Sequence, residues 1–414
     1  MESFASSVLP FTVRYKGGDR DADLKHVARA IEGGAWEGVP DEDIEVSQIS
    51  GGITNLLFKL TGPGSLALLV RIYGVNTDIM IDRERDNRLF NELGRMGFGP
   101  KFLGRFTNGR LEGYLPATPL EPQDMGQQQG VDFVTLIAKG MARMHSLKVT
   151  SAGPPGKTEL WRTLSKWIKL AKGVTFEEEA KAAALAALGL DETERELHWL
   201  QGQLDPDHFE EMPKAGAKDF VGKEGMPGAS PSVTPPPLSG DEIKPNGQKS
   251  VPSDVFEGWG RRYLLDVVFC HNDLLSGNIL HHDGWDKVQI IDFEYSGHNY
   301  RGFDIANHFC EHAGFDSDFE KSFPTPEVQR AFIATYLSAD FPGLLQSLPG
   351  DPQPLLEKLR LEAGRWTLAA HMFWGIWSVV QARYSPIDFD FLDYARLRLA
   401  SGYHIHKREF FPTN

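Results

Sequence analysis

Cysteine is nearly absent from this chain: Cys270 and Cys310 are the two among 414 residues, and they have no paired metal-ligand spacing. A disulfide framework and a cysteine zinc site are thereby excluded, and a reducing compartment is indicated. No run of 18 apolar residues occurs, and the opening MESFASSVLPFTVRYKGG has no basic flank leading into a long apolar core. Neither a membrane span nor a secretion signal is expected, which leaves the cytoplasm as the default location. Positive charge is also in deficit. With 43 Lys and Arg against 57 Asp and Glu, the formal net charge is −14, which argues against nucleic acid or an anionic membrane as partner. No internal repeat is apparent. What the chain does have is 41% hydrophobic residues over its 414 positions, enough for a large core and two lobes or domains.

The most informative stretch is HNDLLSGNILHHDGWDKVQIID, residues 271 to 292. Protein kinases place His-Arg-Asp, four residues, Asn, and later an Asp before Phe around a nucleotide triphosphate. Here the order is His271-Asn272-Asp273, four residues, Asn278, and then Asp292-Phe293-Glu294. Apolar runs lead into or follow these groups: Val267 to Phe269, Ile279 and Leu280, and Val288 to Ile291. Such β-branched runs suit buried strands. An amide and a carboxylate ending buried strands need a compensating partner. Asn278 and Asp292 as ligands of one Mg²⁺ would have it, because the cation offsets their desolvation and bridges phosphate oxygens. Asp273 stands too early to share that metal and is read as the group that accepts or orients the proton of an attacking hydroxyl. A lone Asp-x-x-x-x-Asn is ordinarily a turn residue and an unrelated amide; the specificity lies in the coincidence of spacing, second Asp and apolar flanks.

Residues 1–116 read as a small β-rich nucleotide-binding lobe. Ile44 to Ile49, Ile53 to Leu60 and Leu66 to Tyr73 are strand-like, the first two separated by Ser50-Gly51-Gly52. A glycine pair there lets backbone amides approach a phosphate, although by itself it is also an ordinary turn. Arg71, inside the third strand, is a costly cation unless it meets an anion. A helix is expected from Arg83 to Met96, on which Asp86 shares the inward edge with Phe90 and could pair with Arg71; Glu84 competes for that role, and an acidic first turn serving the helix dipole explains either residue equally well. Further strands are expected at Lys101 to Phe106 and Arg110 to Leu115. The segment Glu112-Gly113-Tyr114-Leu115 stands where a hinge would present backbone groups of Gly113 and Leu115 to adenine.

Residues 117–414 read as a mostly helical catalytic and substrate lobe. Phe133, Leu136, Ile137, Met141, Met144 and Leu147 recur at helical spacing, and helices are expected at 158–172 and 176–203. Residues 213–250 change character, with seven Pro, six Gly and one aromatic, Phe220. Too little apolar surface remains there for ordering, so a disordered insertion is expected.

Gly51-Gly52-Ile53-Thr54-Asn55, Val70-Arg71-Ile72-Tyr73-Gly74, His271 to Leu275 with Asn278, Ile291 to Glu311 (IDFEYSGHNYRGFDIANHFCE) and His371 to Leu392 (HMFWGIWSVVQARYSPIDFDFL) together resemble the choline/ethanolamine kinase family. The matches run from about residue 50 to residue 400. The resemblance implies an α+β, protein-kinase-like two-lobe fold, with a small antiparallel β-rich N-lobe and a large mostly helical C-lobe, and ATP-dependent phosphorylation of a small amino alcohol. It further implies Asp273 as catalytic base, Asn278 and Asp292 as Mg²⁺ ligands, Gly51, Gly52 and Asn55 as the phosphate loop, and Arg71 in place of the kinase Lys. Asp86 matches a position that is commonly Glu. Glu311, Tyr295, Trp374 and Trp377 match the family's ammonium pocket, with Ile387, Phe389 and Tyr394 nearby.

The pocket also makes chemical sense from its residues. Trp374 and Trp377 are three apart on an expected helix and share a face, a pair that is ordinarily core. Glu311 changes the balance, since an aromatic wall beside a carboxylate is what an organic cation needs. Arg301 and Asp304 are read as an internal ion pair, and His308 and His371 as satisfied core histidines. A primary ammonium wants acceptors and tolerates fewer rings than a quaternary one. After Glu311 the chain continues His312-Ala313-Gly314-Phe315-Asp316, and this Ala-Gly pair, like Leu274-Leu275, looks more like ethanolamine kinases. Ethanolamine is therefore the expected acceptor, the product being phosphoethanolamine at the first step of phosphatidylethanolamine synthesis by the CDP-ethanolamine route. Choline is the alternative or second substrate. An aminoglycoside phosphotransferase would have a more acidic, less aromatic pocket, and a non-catalytic scaffold would be expected to lose Asp273, Asn278 or Asp292. The partners implied are small molecules, ATP and the amino alcohol; the resemblance leaves a homodimer open.

Overall fold

The computed structural model describes residues 8–30, 34–49, 55–126, 130–205, 253–348 and 350–412. The insertion expected at 213–250 and the loop glycines Gly51 and Gly52 lie outside the described residues. Contacts gather the chain into two units. One comprises Met1–Glu121, Ser276–Ser296 and Tyr384–Phe389; the other comprises Pro122–Leu275, Gly297–Arg383 and Asp390–Asn414. The first boundary thus falls at Glu121 rather than 116, and the segment carrying Asn278 and Asp292 groups with the N-terminal residues.

The first unit contains helix α1 (Arg20–Arg29) and a five-stranded antiparallel sheet of β1 (Glu45–Ile49), β2 (Asn55–Thr61), β3 (Ala67–Tyr73), β4 (Phe102–Phe106) and β5 (Gly109–Gly113), in the order β1-β2-β3-β5-β4. Alternation along these strands sorts their two faces. Phe58 and Leu60 of β2, Leu68, Val70 and Ile72 of β3 and Leu111 of β5 join Leu24 and Val27 of α1 in one apolar core. Arg71, Arg110 and Glu112 occupy the alternate positions. Helix α2 (Arg83–Arg95) starts where the Asp82 side chain accepts the Arg85 N–H, and it buries Leu89, Phe90 and Leu93. Later strands are short: β6 (Thr118–Pro119), β7 (Val267–Cys270), β8 (Ile279–His281), β9 (Gln289–Ile290) and β10 (Gly297–Tyr300). In the first unit β6, β8 and β9 form an antiparallel sheet in that order, and in the second unit β7 pairs antiparallel with β10.

The second unit is helical around that ribbon. Its helices are α3 (Phe133–His145), α4 (Leu160–Lys172), α5 (Glu179–Ala187), α6 (Leu190–Leu204), α7 (Ser253–Leu265), α8 (Arg301–Glu311), α9 (Phe319–Ser322), α10 (Pro326–Asp340), α11 (Leu344–Ser347), α12 (Gln353–Arg365), α13 (Thr367–Tyr384), α14 (Phe391–Arg396) and α15 (Tyr403–Phe410). The helix expected over 176–203 is two helices, because Gly189 turns into the left-handed region at φ 63° and ends the first. Every residue of α8 is buried, as is α13 from Thr367 to Gln381; the largely apolar sequence of α13 fits that burial, whereas α8 buries Arg301, Asp304, Asn307, His308 and Glu311 and must partner them. Among the described residues no helix is long and apolar enough to cross a membrane.

Candidate active site

In the first unit, strand register explains why Asn278 and Asp292 lie at one end of the same ribbon. Ile279 pairs with Ile290 across β8 and β9, and the Ile291 N–H donates to the Asn278 carbonyl at 3.0 Å. The residue before β8 and the second residue after β9 are thereby brought to the same end of the ribbon. Asp292 adopts φ 64°, a left-handed conformation that a non-glycine residue keeps only where its surroundings enforce it. Arg71 Nη1 contacts both Asp292 carboxylate oxygens at 3.3 Å. Burial pushes the Asp292 carboxyl up, to about 6, against the opposing pull of Arg71. An amide and a half-buried carboxylate at one end of a ribbon are a pair of oxygen donors that suits a hard cation such as Mg²⁺.

Arg71 is not held in the way expected from its sequence neighbours. Neither Asp86 nor Glu84 pairs with it: Asp86 binds Arg110 at 2.8 Å and Arg83 at 3.4 Å, and Glu84 binds Arg105 at 2.8 Å. Arg71 Nε instead donates to Glu112 Oε1 at 2.7 Å, an acceptor shared with Arg110 Nε at the same distance. Burial alone would raise the Glu112 carboxyl, but Arg71 and Arg110 hold it below the usual carboxylate range. The correction comes from β3–β5 pairing, which sets Arg71 opposite Arg110 and diagonal to Glu112. The Asn55 side chain is occupied, its Nδ2 donating to Glu294 at 3.0 Å and its Oδ1 accepting from Arg83 at 3.0 Å. Of the residues expected to form a hinge, Gly113 uses its N–H on the Lys101 carbonyl at 2.8 Å, and the Leu115 carbonyl accepts from Ala117 at 2.9 Å.

Asp273 belongs to the second unit, in the turn after β7. Asp304 of α8 fixes that turn by accepting the backbone N–H of His271 at 2.8 Å and of Asn272 at 2.7 Å. Asn272, at φ 66°, accepts from Asn299 Nδ2 at 2.8 Å. Behind Asp304 runs a buried relay in which His145 Nε2 lies 2.9 Å from its carboxylate, His145 Nδ1 lies 2.6 Å from the Tyr336 hydroxyl, and Arg301 Nη1 donates to that hydroxyl at 2.5 Å. Burial lowers the His145 pKa, so the neutral ring donates from Nε2 and accepts at Nδ1. The ion pair expected between Arg301 and Asp304 therefore does not form. Arg301 pairs with Asp340 and Asp266, at 3.1 and 3.5 Å, and Asp304 serves the turn that carries Asp273. His308 is a satisfied core histidine, donating to the Leu274 carbonyl at 3.0 Å. His371 is only half satisfied, since Nε2 meets His406 at 2.9 Å while Nδ1 is buried without a partner among the described residues.

Residues of the expected ammonium pocket fall in both units. In the second, buried Glu311 closes α8 and is ion-paired with Arg398, whose Nε donates to the Tyr394 hydroxyl at 2.9 Å. One helical turn before Glu311, Asn307 accepts the Trp374 indole N–H at 2.8 Å, so α8 orients both carboxylate and ring. Trp374 and Trp377 meet edge to face, with centroids 5.4 Å apart. Half-buried Tyr295, Ile387 and Phe389 belong to the first unit. Arg110, Asn307 and Arg398 were not singled out from sequence, and Glu112 was read only as part of a hinge. The available signal was spacing: Arg110 and Glu112 alternate on one strand face, and Asn307 and Arg398 stand four residues from Glu311 and Tyr394.

Two other buried groups have metal-ligand composition, His145 with Cys270 and Asp304, and Cys310 with His371 and His406. Asp304 and His145 are spent on the relay just described. At the other group the two rings bond each other, and the Arg398 guanidinium beside Cys310 opposes a second cation.

A family model described as choline/ethanolamine kinase matches residues 46–212 and 251–403. A probable ethanolamine kinase of Arabidopsis thaliana is 32% identical over 367 residues, 88% of this chain and 80% of that protein. A human choline/ethanolamine kinase is 31% identical over 402 residues, 92% and 85% of the two chains. Among solved structures, a Plasmodium vivax ethanolamine kinase matches with a TM-score of 0.63 at 26% identity, over 87% of this chain and 83% of that one. A Cryptosporidium parvum choline kinase gives the same TM-score at 22% identity, over 94% and 95%, a likeness of fold. With an antiparallel N-terminal sheet, a helical C-terminal part and these relatives, the fold is protein-kinase-like, and the chain belongs to the choline/ethanolamine kinase family.

Proposed function

We propose that this kinase transfers the γ-phosphoryl group of ATP to the hydroxyl of ethanolamine, giving phosphoethanolamine and ADP. The observation that carries the proposal is buried Glu311, ionically paired on one oxygen, Oε1, to Arg398 and set one turn from the residue that orients Trp374. A carboxylate with an oxygen to offer accepts N–H bonds from a primary ammonium, and a neighbouring ring face adds cation-π attraction. Ethanolamine over choline is favoured by the residues after Glu311, where Ala313 and Gly314 supply no ring and Phe315 is 46% exposed. The edge-to-face Trp374 and Trp377 pair favours choline as a second substrate.

In the proposed mechanism Arg71 spreads the charge of the transferring group. Mg²⁺ held by Asn278 and Asp292 would neutralise the phosphate oxygens. Asp273 accepts the hydroxyl proton as the new O–P bond forms, and the bond to the β-phosphate oxygen breaks. The backbone bonds from Asp304 keep the Asp273 turn in one conformation, so its carboxylate is placed before the substrate arrives. Replacing Glu311→Gln is expected to raise the ethanolamine KM by roughly tenfold or more while leaving the ATP KM within about threefold. An unchanged amine KM in steady-state assays would remove Glu311 from the pocket.

A further inference from the structure

Arg71 and Arg110 are directly opposite on the paired strands β3 and β5, both buried. Like charges facing each other across a ladder destabilise a sheet unless an anion lies between them. Glu112 is that anion. It stands two residues from Arg110 on the same strand face, and one oxygen, Oε1, takes the Nε of both arginines at 2.7 Å. With Nε so anchored, Arg71 directs Nη1 to Asp292 at 3.3 Å. In protein kinases the corresponding cation is set by a helix carboxylate, and moving that helix assembles or dismantles the site. Here α2 is fastened by different bonds, Asp86 to Arg110 at 2.8 Å and Arg83 to Glu294 at 2.9 Å. Displacing α2 would break those and leave the Arg71–Glu112 bond intact.

We propose that Glu112 on β5, and not a carboxylate on α2, is the positioning residue that sets Arg71 for the nucleotide phosphates. This rests on Arg71 meeting the phosphates, as proposed above. The nucleotide cation is then built into the sheet and ready in the resting enzyme. The test is a double-substitution cycle on the full chain with Glu112→Gln and Arg71→Gln, read in ATP KM, amine KM and the Kd of a fluorescent Mg·ADP analogue. Glu112→Gln is expected to raise the ATP KM and the analogue Kd at least about fivefold, to leave the amine KM within about twofold, and to add nothing once Arg71 is replaced. Equal movement of both KM values, or full additivity with Arg71→Gln, would overturn the proposal. Should Glu112→Gln lack a cooperative melt, Glu112→Asp keeps the charge but shortens the reach, and a folded Glu112→Asp with wild-type nucleotide affinity overturns it equally. The Kd readout needs no turnover, so a wrong acceptor assignment, seen as no amine-stimulated ADP release by the wild type, is told apart from a wrong partner for Arg71.

Discussion

Asp273 and Asp292 stand nineteen residues apart in one stretch, and each is imposed by its surroundings. Asp292 itself has φ 64°, and the residue before Asp273, Asn272, has φ 66°. A left-handed backbone costs a non-glycine residue about 1–2 kcal/mol, and here it is compensated by named bonds, from the Asn272 N–H to Asp304 and from Arg71 to the Asp292 carboxylate. If Asp273 takes the hydroxyl proton, Asp273→Asn loses the base but keeps the turn. The expected result is a kcat lower by about a hundredfold or more with ATP KM within about threefold, measured by ADP release; near-wild-type turnover would contradict the role. The spacing of Asp273, Asn278 and Asp292 could be read from sequence because it lies within one short stretch. The partner of Arg71 could not, because it depends on which residue of β5 lies across from it. Asp86 pointed the right way along α2 and still met Arg110.

Elements were legible where periodicity was strong. The expected strands of the first unit and the helix over Arg83 to Met96 differ from β1 to β5 and α2 by a residue or two at their ends. A uniform stretch of helix formers hid the break at Gly189. In α8 the residue pattern offered Glu311, an Arg301–Asp304 ion pair and a core His308, but not that the helix anchors the Asp273 turn through Asp304 and Trp374 through Asn307. Its close packing has a measurable consequence. A Cβ on Gly302 would come within 2.5 Å of the Trp366 ring, and an indole cannot swing aside like the end of a flexible chain. Although alanine is the better helix former, Gly302→Ala is expected to lower stability by about 1–3 kcal/mol, seen as a lower urea midpoint. A stabilised variant would show that α8 has room there.

At the scale of the whole molecule, stability and activity both depend on charges kept out of water. Burial pulls His308 to about 4 and His406 to about 3, and it holds His371 and His312 well below the ordinary value. Their folded pKa values lie below that of the unfolded chain, near 6.5. The unfolded state therefore binds protons first, and stability is complete above about pH 6.5 and lost as pH falls towards 4, at about 1.4 kcal/mol per group per pH unit. Asp292, raised by burial to about 6, and Asp266, also raised by burial, act in the opposite sense, but they are two groups against five once His145, lowered by burial, is added to these four histidines. Urea midpoints measured from pH 7.5 to 5 should fall with acidity, and a flat or rising profile would contradict the assignment. The central claim is the acceptor itself. Coupled ADP release by the purified chain with Mg·ATP, comparing ethanolamine, choline and an aminoglycoside, tests it most directly. The highest kcat/KM is predicted for ethanolamine, a lower one for choline and none above background for the aminoglycoside; preference for choline, or no amine-stimulated release at all, would contradict the claim.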